Sequence, residues 1–286
     1  MQAYQQFGYF YDVNLFKRIF DFYLDASVHV ALAVFCFVWL TGRILDVSID
    51  KNLAFFLFFG TIASYNFIKY GLEAKKYILV ASRYHKNIQF FSFIALGFAM
   101  YHAYFLSMET WIALVALALL TGLYALPVLP KVKNLRSLSG FKVFPVALVW
   151  AGATVILPVL EIGGDLNWDA WVEAVQRFIV VLVLMLPFEI RDLQFDSAEL
   201  KTIPQRYGVG VTRAIGISWI LAILLITFLK DDLQHFDLFI KAVICLTLAV
   251  VISLSEKGRS KYFATFWVEA LPIFWCVIGY LSIDRF

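Results

Sequence analysis

Once the long apolar blocks of this chain are set aside, nothing remains that could fold as a water-soluble domain. That excludes a soluble enzyme or binding module. No cleaved leader is read at the N-terminus either: residues 1–21 mix aromatic and charged side chains, with no short apolar core leading to a small-residue cleavage site. Cysteine is scarce. Cys36, Cys245 and Cys276 lie far apart inside apolar blocks, so they read as small core hydrophobes and not as metal ligands or a disulfide. There is no Cys/His cluster, no nucleophile triad and no Gly-rich phosphate loop. The basic residues are spread over short loops and not gathered on one soluble unit, which argues against a nucleic-acid partner.

What is present is apolar sequence, 62% of the chain, in long runs parted by short charged stretches. A membrane span needs about 20 mostly apolar residues, and nine blocks approach that length. They lie near 22–42, 53–70, 88–108, 110–129, 141–160, 170–188, 212–229, 236–255 and 262–283, the second and seventh being short. Lipid leaves unpaired backbone groups without partners, so the blocks are helices. The expectation is an all-α polytopic membrane protein forming a single domain over residues 1–286. Tyr9 to Phe22 reads as an amphipathic lead-in at the interface or as a frayed tail.

Basic residues give the orientation. With the N-terminus in the cytoplasm, eighteen Lys and Arg fall on the cytoplasmic side or its helix ends, among them Lys75, Lys76, Lys131, Lys133, Arg136 and Lys201. The other side keeps six: Arg43, Lys51, Lys230 and Arg285, with Arg177 and Lys241 expected to snorkel from helix ends. That asymmetry is a positive-inside pattern, and in a bacterium it implies the inner (plasma) membrane. The opposite loops are acidic, with Asp46, Asp50, Glu161, Asp165, Asp169, Asp231, Asp232 and Asp237.

The densest charge follows the sixth block: Glu189-Ile-Arg-Asp192-Leu-Gln-Phe-Asp196-Ser-Ala-Glu199-Leu-Lys201-Thr-Ile-Pro204. Spacings of three and four put Glu189, Asp192 and Asp196 on one face of a continuing helix. Such a cluster suits Mg²⁺, a hard cation that shares carboxylates with substrate phosphates; a solvated helix end between two spans is the alternative. A second long cytoplasmic loop, about 71–87, follows the second block, so two helix–loop–helix units four spans apart face the same side.

With these segments in place, the chain resembles the UbiA superfamily of intramembrane prenyltransferases. Arg191-Asp192-Leu-Gln-Phe-Asp196 through Leu200-Lys201-Thr202-Ile-Pro204-Gln-Arg206-Tyr-Gly208 is similar to the family's second aspartate motif. Leu123-Tyr124-Ala-Leu-Pro127-Val-Leu-Pro130-Lys131-Val-Lys133 resembles its Tyr-Pro…Lys-Arg stretch after span four. The resemblance implies a nine-helix bundle capped on the cytoplasmic side by the loops after spans two and six. It implies an isoprenoid diphosphate bound through Mg²⁺ in a central cavity, with transfer of the prenyl group to a lipid-soluble acceptor. It also implies that Asp192 and Asp196 are metal ligands and that Lys131, Lys133, Lys201 and Arg206 contact the diphosphate. Ordinary positive-inside charge accounts equally for those basic residues. Tyr124 and Pro127 serve the substrate or merely end a span at the interface.

The first aspartate motif departs from the family. Where Asn-Asp-x-x-Asp-x-x-x-Asp is expected, the chain has Ser64-Tyr65-Asn66-Phe67-Ile68-Lys69-Tyr70-Gly71-Leu72-Glu73-Ala74. Anchored on Asn66, the acidic positions hold Phe67, Tyr70 and Ala74; moved by one residue, they hold Asn66, Lys69 and Glu73. Neither register restores a carboxylate pair beside the bundle. The second register suggests Lys69 facing Asp192 and Asp196 in place of a metal; the alternative is that Asn66 and Lys69 are ordinary polar residues at a helix end, Lys69 snorkelling. Further polar groups fall inside blocks: Asp25 and His29 on one face of the first, His102 at the interface, and Glu269 ahead of Pro272, read as an interhelical hydrogen bond first and as cavity lining second. Two functions follow. One is a divergent prenyltransferase with weakened or lost Mg²⁺-dependent transfer; the other is a silent relative that binds an isoprenoid lipid or serves as a subunit of a membrane complex.

Overall fold

The computed structural model describes residues 15–70, 83–125, 142–196 and 200–282. These form ten helices: α1 (Leu15–Asp25), α2 (Val28–Ile44), α3 (Lys51–Tyr70), α4 (Arg83–Ala103), α5 (Met108–Ala125), α6 (Val143–Glu161), α7 (Trp168–Asp192), α8 (Ile203–Thr227), α9 (His235–Leu254) and α10 (Phe263–Leu281). Every apolar block of the sequence carries helix. Six of the helices (α3 and α6 to α10) are long and apolar enough to cross a membrane, and α1 with α2, bent by 56°, would make a seventh. By those criteria α4 falls short because its first turns are polar, and α5 because it is short.

Local sequence explains the breaks. α8 begins nine residues before the apolar block at 212: Thr202 caps it, Gln205 closes the capping box, and Pro204 suits its first turn. Its early turns bend at Gly208, whose φ of 77° only glycine adopts freely. In α6 and α10 a π-helical stretch (Gly152–Ile156 and Phe263–Val268) precedes a proline, Pro158 and Pro272. The wider turn accommodates a ring that has no N–H for the α-helical ladder. The α1–α2 break lies at Ala26-Ser27, with Ser27 in the left-handed region at φ 60°. This separates Asp25 from His29, which do not share a helix face. Asp25 accepts from the Tyr84 hydroxyl at 3.0 Å, whereas His29 Nε2 donates to the Phe266 carbonyl at 3.0 Å.

Among the described residues the helices pack around two large apolar cores, with a smaller cluster of Ala31, Ile62 and Ala95 between α2, α3 and α4. One gathers α6 to α10 with Phe37, Leu40 and Ile44 of α2; the other joins Val34 and Val38 of α2 to α3, α4 and Leu157. α2 therefore serves both halves. Outward faces are apolar as well, as with Phe90 and Phe93 on α4 or Leu221 and Leu225 on α8. Contiguous exposed apolar surface of this kind suits a lipid solvent.

A buried charge network locks the start of α7 to α9 and to the α8–α9 turn. Arg177 and Lys241 were expected to snorkel, yet each side chain is only 2% exposed. Glu173 draws them in. Its Oε1 accepts from Arg177 at 3.1 Å, and its Oε2 accepts from Lys241 at 2.6 Å and Lys230 at 3.4 Å. Lys230 also pairs with Asp237. Arg177 donates further to Thr154 and Thr41 and lies 4.1 Å above the Phe37 ring. Burial works against the Lys230 charge, but Glu173 and Asp237 outweigh it and hold the ammonium above the ordinary lysine value.

Candidate functional site

Between the two cores lies a cavity of about 790 Å³ walled by α2, α3, α5, α6, α7 and α10. Its size is that of a small-molecule site, which typically spans about 300–1,000 Å³. Most of the wall is apolar, with Val34, Leu114, Val149, Leu184 and Phe188 among the side chains, and two glycines, Gly60 and Gly122, widen it. Polar groups gather toward the end where α3, α5 and α7 finish and α10 starts: Tyr65, Lys69, Tyr124 and Glu269. Among the described lining residues, Lys69 and Glu269 are the charged ones. Tyr65 accepts from the Trp150 indole at 2.8 Å.

The α1–α2 break builds this end. Buried Asn66 accepts from the Ser27 hydroxyl at 2.8 Å and donates to the Ala26 carbonyl and to Ser92, both at 2.9 Å. One side chain thus ties α3 to the break and to α4. Lys69, one turn further on, donates to Ser27 at 3.1 Å. It forms no direct ion pair with Asp192 or Asp196, and it shares the cavity wall with Glu269. Asn66→Ala should take the side-chain donor from the Ala26 carbonyl and the acceptor from the Ser27 hydroxyl proton, at a cost of about 1–3 kcal/mol. The check is thermal unfolding in detergent, with Asn66→Gln as a comparison that keeps the amide but displaces it.

The second acidic segment is arranged differently from one helix face. α7 stops at Asp192, and Asp196 follows a turn over residues 193–195. Arg191 donates to both oxygens of Asp192, at 2.7 and 3.0 Å, and rests against the Phe188 ring. Lys142, just ahead of α6, donates to Asp196 at 2.6 Å. Buried Glu189 has one oxygen, Oε2, without a partner among the described residues. Lys201 and Arg206 are exposed and are not among the cavity's lining residues. Lys131 and Lys133 lie outside the described residues, as does Glu73.

No protein-family profile matches the sequence, and no curated protein matches it either. Solved structures do. A UbiA homolog from Archaeoglobus fulgidus bound to DMAPP and Mg²⁺ aligns with a TM-score of 0.59 over 92% of this chain and 99% of that one, at 14% identity. The form bound to GPP and Mg²⁺ gives 0.57 over the same shares at 13% identity. The fold is UbiA-like. At such low identity the likeness carries the helix arrangement, and the chemistry must be read from this chain's own residues.

The described residues do not fit a UbiA-like Mg²⁺ centre as they stand. Mg²⁺ wants near-octahedral oxygen ligation, usually through carboxylates, water and phosphate. No group of three or more His, Cys, Asp or Glu gathers around a common point among the described residues. Asp192 and Asp196 are each neutralised by a cation of the protein, and Lys69 is a cation, not a metal ligand, at the cavity's polar end. Lys142 and Ser27 escaped the sequence reading as site residues; neither belongs to a motif, and only the fold brings them to one. Glu269 was read first as an interhelical hydrogen bond, but it lines the cavity and makes none among the described residues.

Proposed function

We propose that this protein is a divergent UbiA-type, prenyltransferase-like membrane protein whose central cavity binds an isoprenoid lipid, with Mg²⁺-dependent prenyl transfer weakened or lost. The observation carrying this reading is the large apolar cavity with its polar groups collected at one end. Apolar walls suit a branched hydrocarbon chain and exclude water, while Lys69, Tyr65 and Tyr124 suit an oxygen-bearing head. The UbiA homolog was solved with DMAPP or GPP and Mg²⁺ in a bundle of the same arrangement. Asp192 and Asp196 remain the proposed metal ligands; to serve, they would first have to exchange Arg191 and Lys142 for the ion. Lys131, Lys133, Lys201 and Arg206 remain the proposed diphosphate contacts.

A second reading is that the chain is a catalytically silent relative, either a lipid-binding protein or a subunit of a membrane complex. The two internally neutralised aspartates favour it. The discriminating experiment combines saturable binding of prenyl-chain lipids to the purified protein with diphosphate release from a prenyl diphosphate in the presence of Mg²⁺. Saturable binding with release at background supports weakened or lost transfer. Sustained release that disappears in the Asp192→Ala/Asp196→Ala variant would restore full prenyltransferase activity, and no saturable binding of any prenyl lipid would remove the cavity reading.

The proposed membrane arrangement is nine spans with the N-terminus and motif loops in the cytoplasm. Lys201 and Asp232 are both exposed and sit at opposite ends of α8. Single cysteines there should react with an impermeant thiol reagent from opposite sides of the membrane, Lys201→Cys from the cytoplasm only. Labelling of both from one side would contradict the arrangement.

A further inference from the structure

We infer that the cavity takes an isoprenoid with an uncharged hydroxyl head, of the prenyl-alcohol or quinol class, and holds it without a metal ion. The inference rests on the cavity reading above and narrows it by charge. The described lining residues offer one ammonium, Lys69, and one carboxyl group, Glu269. Whether Glu269 is ionised or protonated, the head meets at most one unit of positive charge from them. Two described cations at the ends of α7 and α6 are committed elsewhere: Arg191 to Asp192 through two hydrogen bonds, and Lys142 to Asp196. Glu189 adds a buried carboxyl group with an oxygen unpartnered among the described residues. From the described lining residues, a diphosphate entering this end would gain little to offset the water lost around its several negative charges.

A hydroxyl head meets a different match. Lys69 spends one of its three N–H donors on Ser27 and lines the cavity with the ammonium held in place. Tyr65 accepts from Trp150, and its own O–H proton has no acceptor among the described residues. Glu269 lines the same end, and its side chain makes no hydrogen bond among the described residues. One neutral oxygen can therefore accept from Lys69 or Tyr65 while its proton is donated to Glu269. Donors and an acceptor at one end of an apolar chamber read a hydroxyl, and no metal is needed to balance the charge.

The test compares farnesol with farnesyl diphosphate on the full-length protein in detergent, by native mass spectrometry or equilibrium dialysis, with EDTA and then with Mg²⁺. Farnesol should bind at least about tenfold more tightly than the diphosphate in both conditions, the scale of one hydrogen bond or one poorly compensated charge. Glu269→Gln should weaken farnesol and strengthen the diphosphate, since it removes negative charge from the head site. Lys69→Gln should weaken both, and it keeps the test open if the Glu269 variant does not fold. A Mg²⁺-dependent preference for the diphosphate, or equal binding of the two, would overturn the inference while leaving an isoprenoid cavity in place. Failure of both ligands to bind would instead overturn the cavity reading itself.

Discussion

Glu173→Ala should destabilise the protein by about 3–5 kcal/mol, the range for breaking a buried ion pair from one side. The carboxylate is 1% exposed and serves three cations, Arg177, Lys230 and Lys241, that are themselves 1–2% exposed. Without it they share only Asp237, and two positive charges are left buried without a partner. Lys241→Met should be far milder. It removes one of three cations facing two acids, so Glu173 keeps Arg177 and Lys230, and the apolar replacement fills the space. The expected result is an asymmetry: the acid is indispensable and one lysine is not. Thermal unfolding in detergent checks it, and equal losses for the two variants would show that the network is not balanced as its distances imply.

Gly60→Leu combined with Gly122→Leu should abolish isoprenoid binding, by at least about tenfold in affinity, while leaving the fold intact. Both glycines line the cavity, and a Cβ built on either meets nothing within 4 Å. The new side chains therefore enter space that the lipid would need. Leucine is also the better helix former by up to about 1 kcal/mol per site, so the ligand-free variant should melt no earlier than the parent. Retained binding would mean that the lipid sits elsewhere; a collapsed fold would mean that the space beside these glycines is needed for packing.

How much of this could be read from sequence depends on the physical signal involved. The helices were legible because apolar length is a local property, and the bundle because motif-like segments fell in the corresponding loops. The start of α8 was missed since Thr202, Pro204 and Gln205 form a cap ahead of the apolar run, a signal that hydropathy ignores although the capping-box pattern is present. The buried network left a trace as well. Glu173 and Arg177, like Asp237 and Lys241, stand four apart and so share helix faces, a sign of pairing that a snorkelling reading passes over.

The polar end of the cavity was only partly legible. Asn66, Lys69, Tyr124 and Glu269 were singled out, but their partners were not. Ser27 becomes the seat for Lys69 because the chain breaks at Ala26-Ser27 without a glycine or proline to announce it. Asp196 pairs with a lysine 54 residues away. Contacts of that kind depend on tertiary placement, and one sequence holds no record of them. Lys69 stood out in the sequence, whereas its lack of a direct pairing with Asp192 or Asp196 did not.

The most direct measurement is native mass spectrometry of the protein drawn gently from its own membrane, run beside the Gly60→Leu/Gly122→Leu variant. The account predicts that the parent carries a stoichiometric prenyl-chain lipid, identified after release, and that the filled variant carries none. A parent that retains only phospholipids, in the same amount as the variant, would contradict the claim that this cavity is built for an isoprenoid.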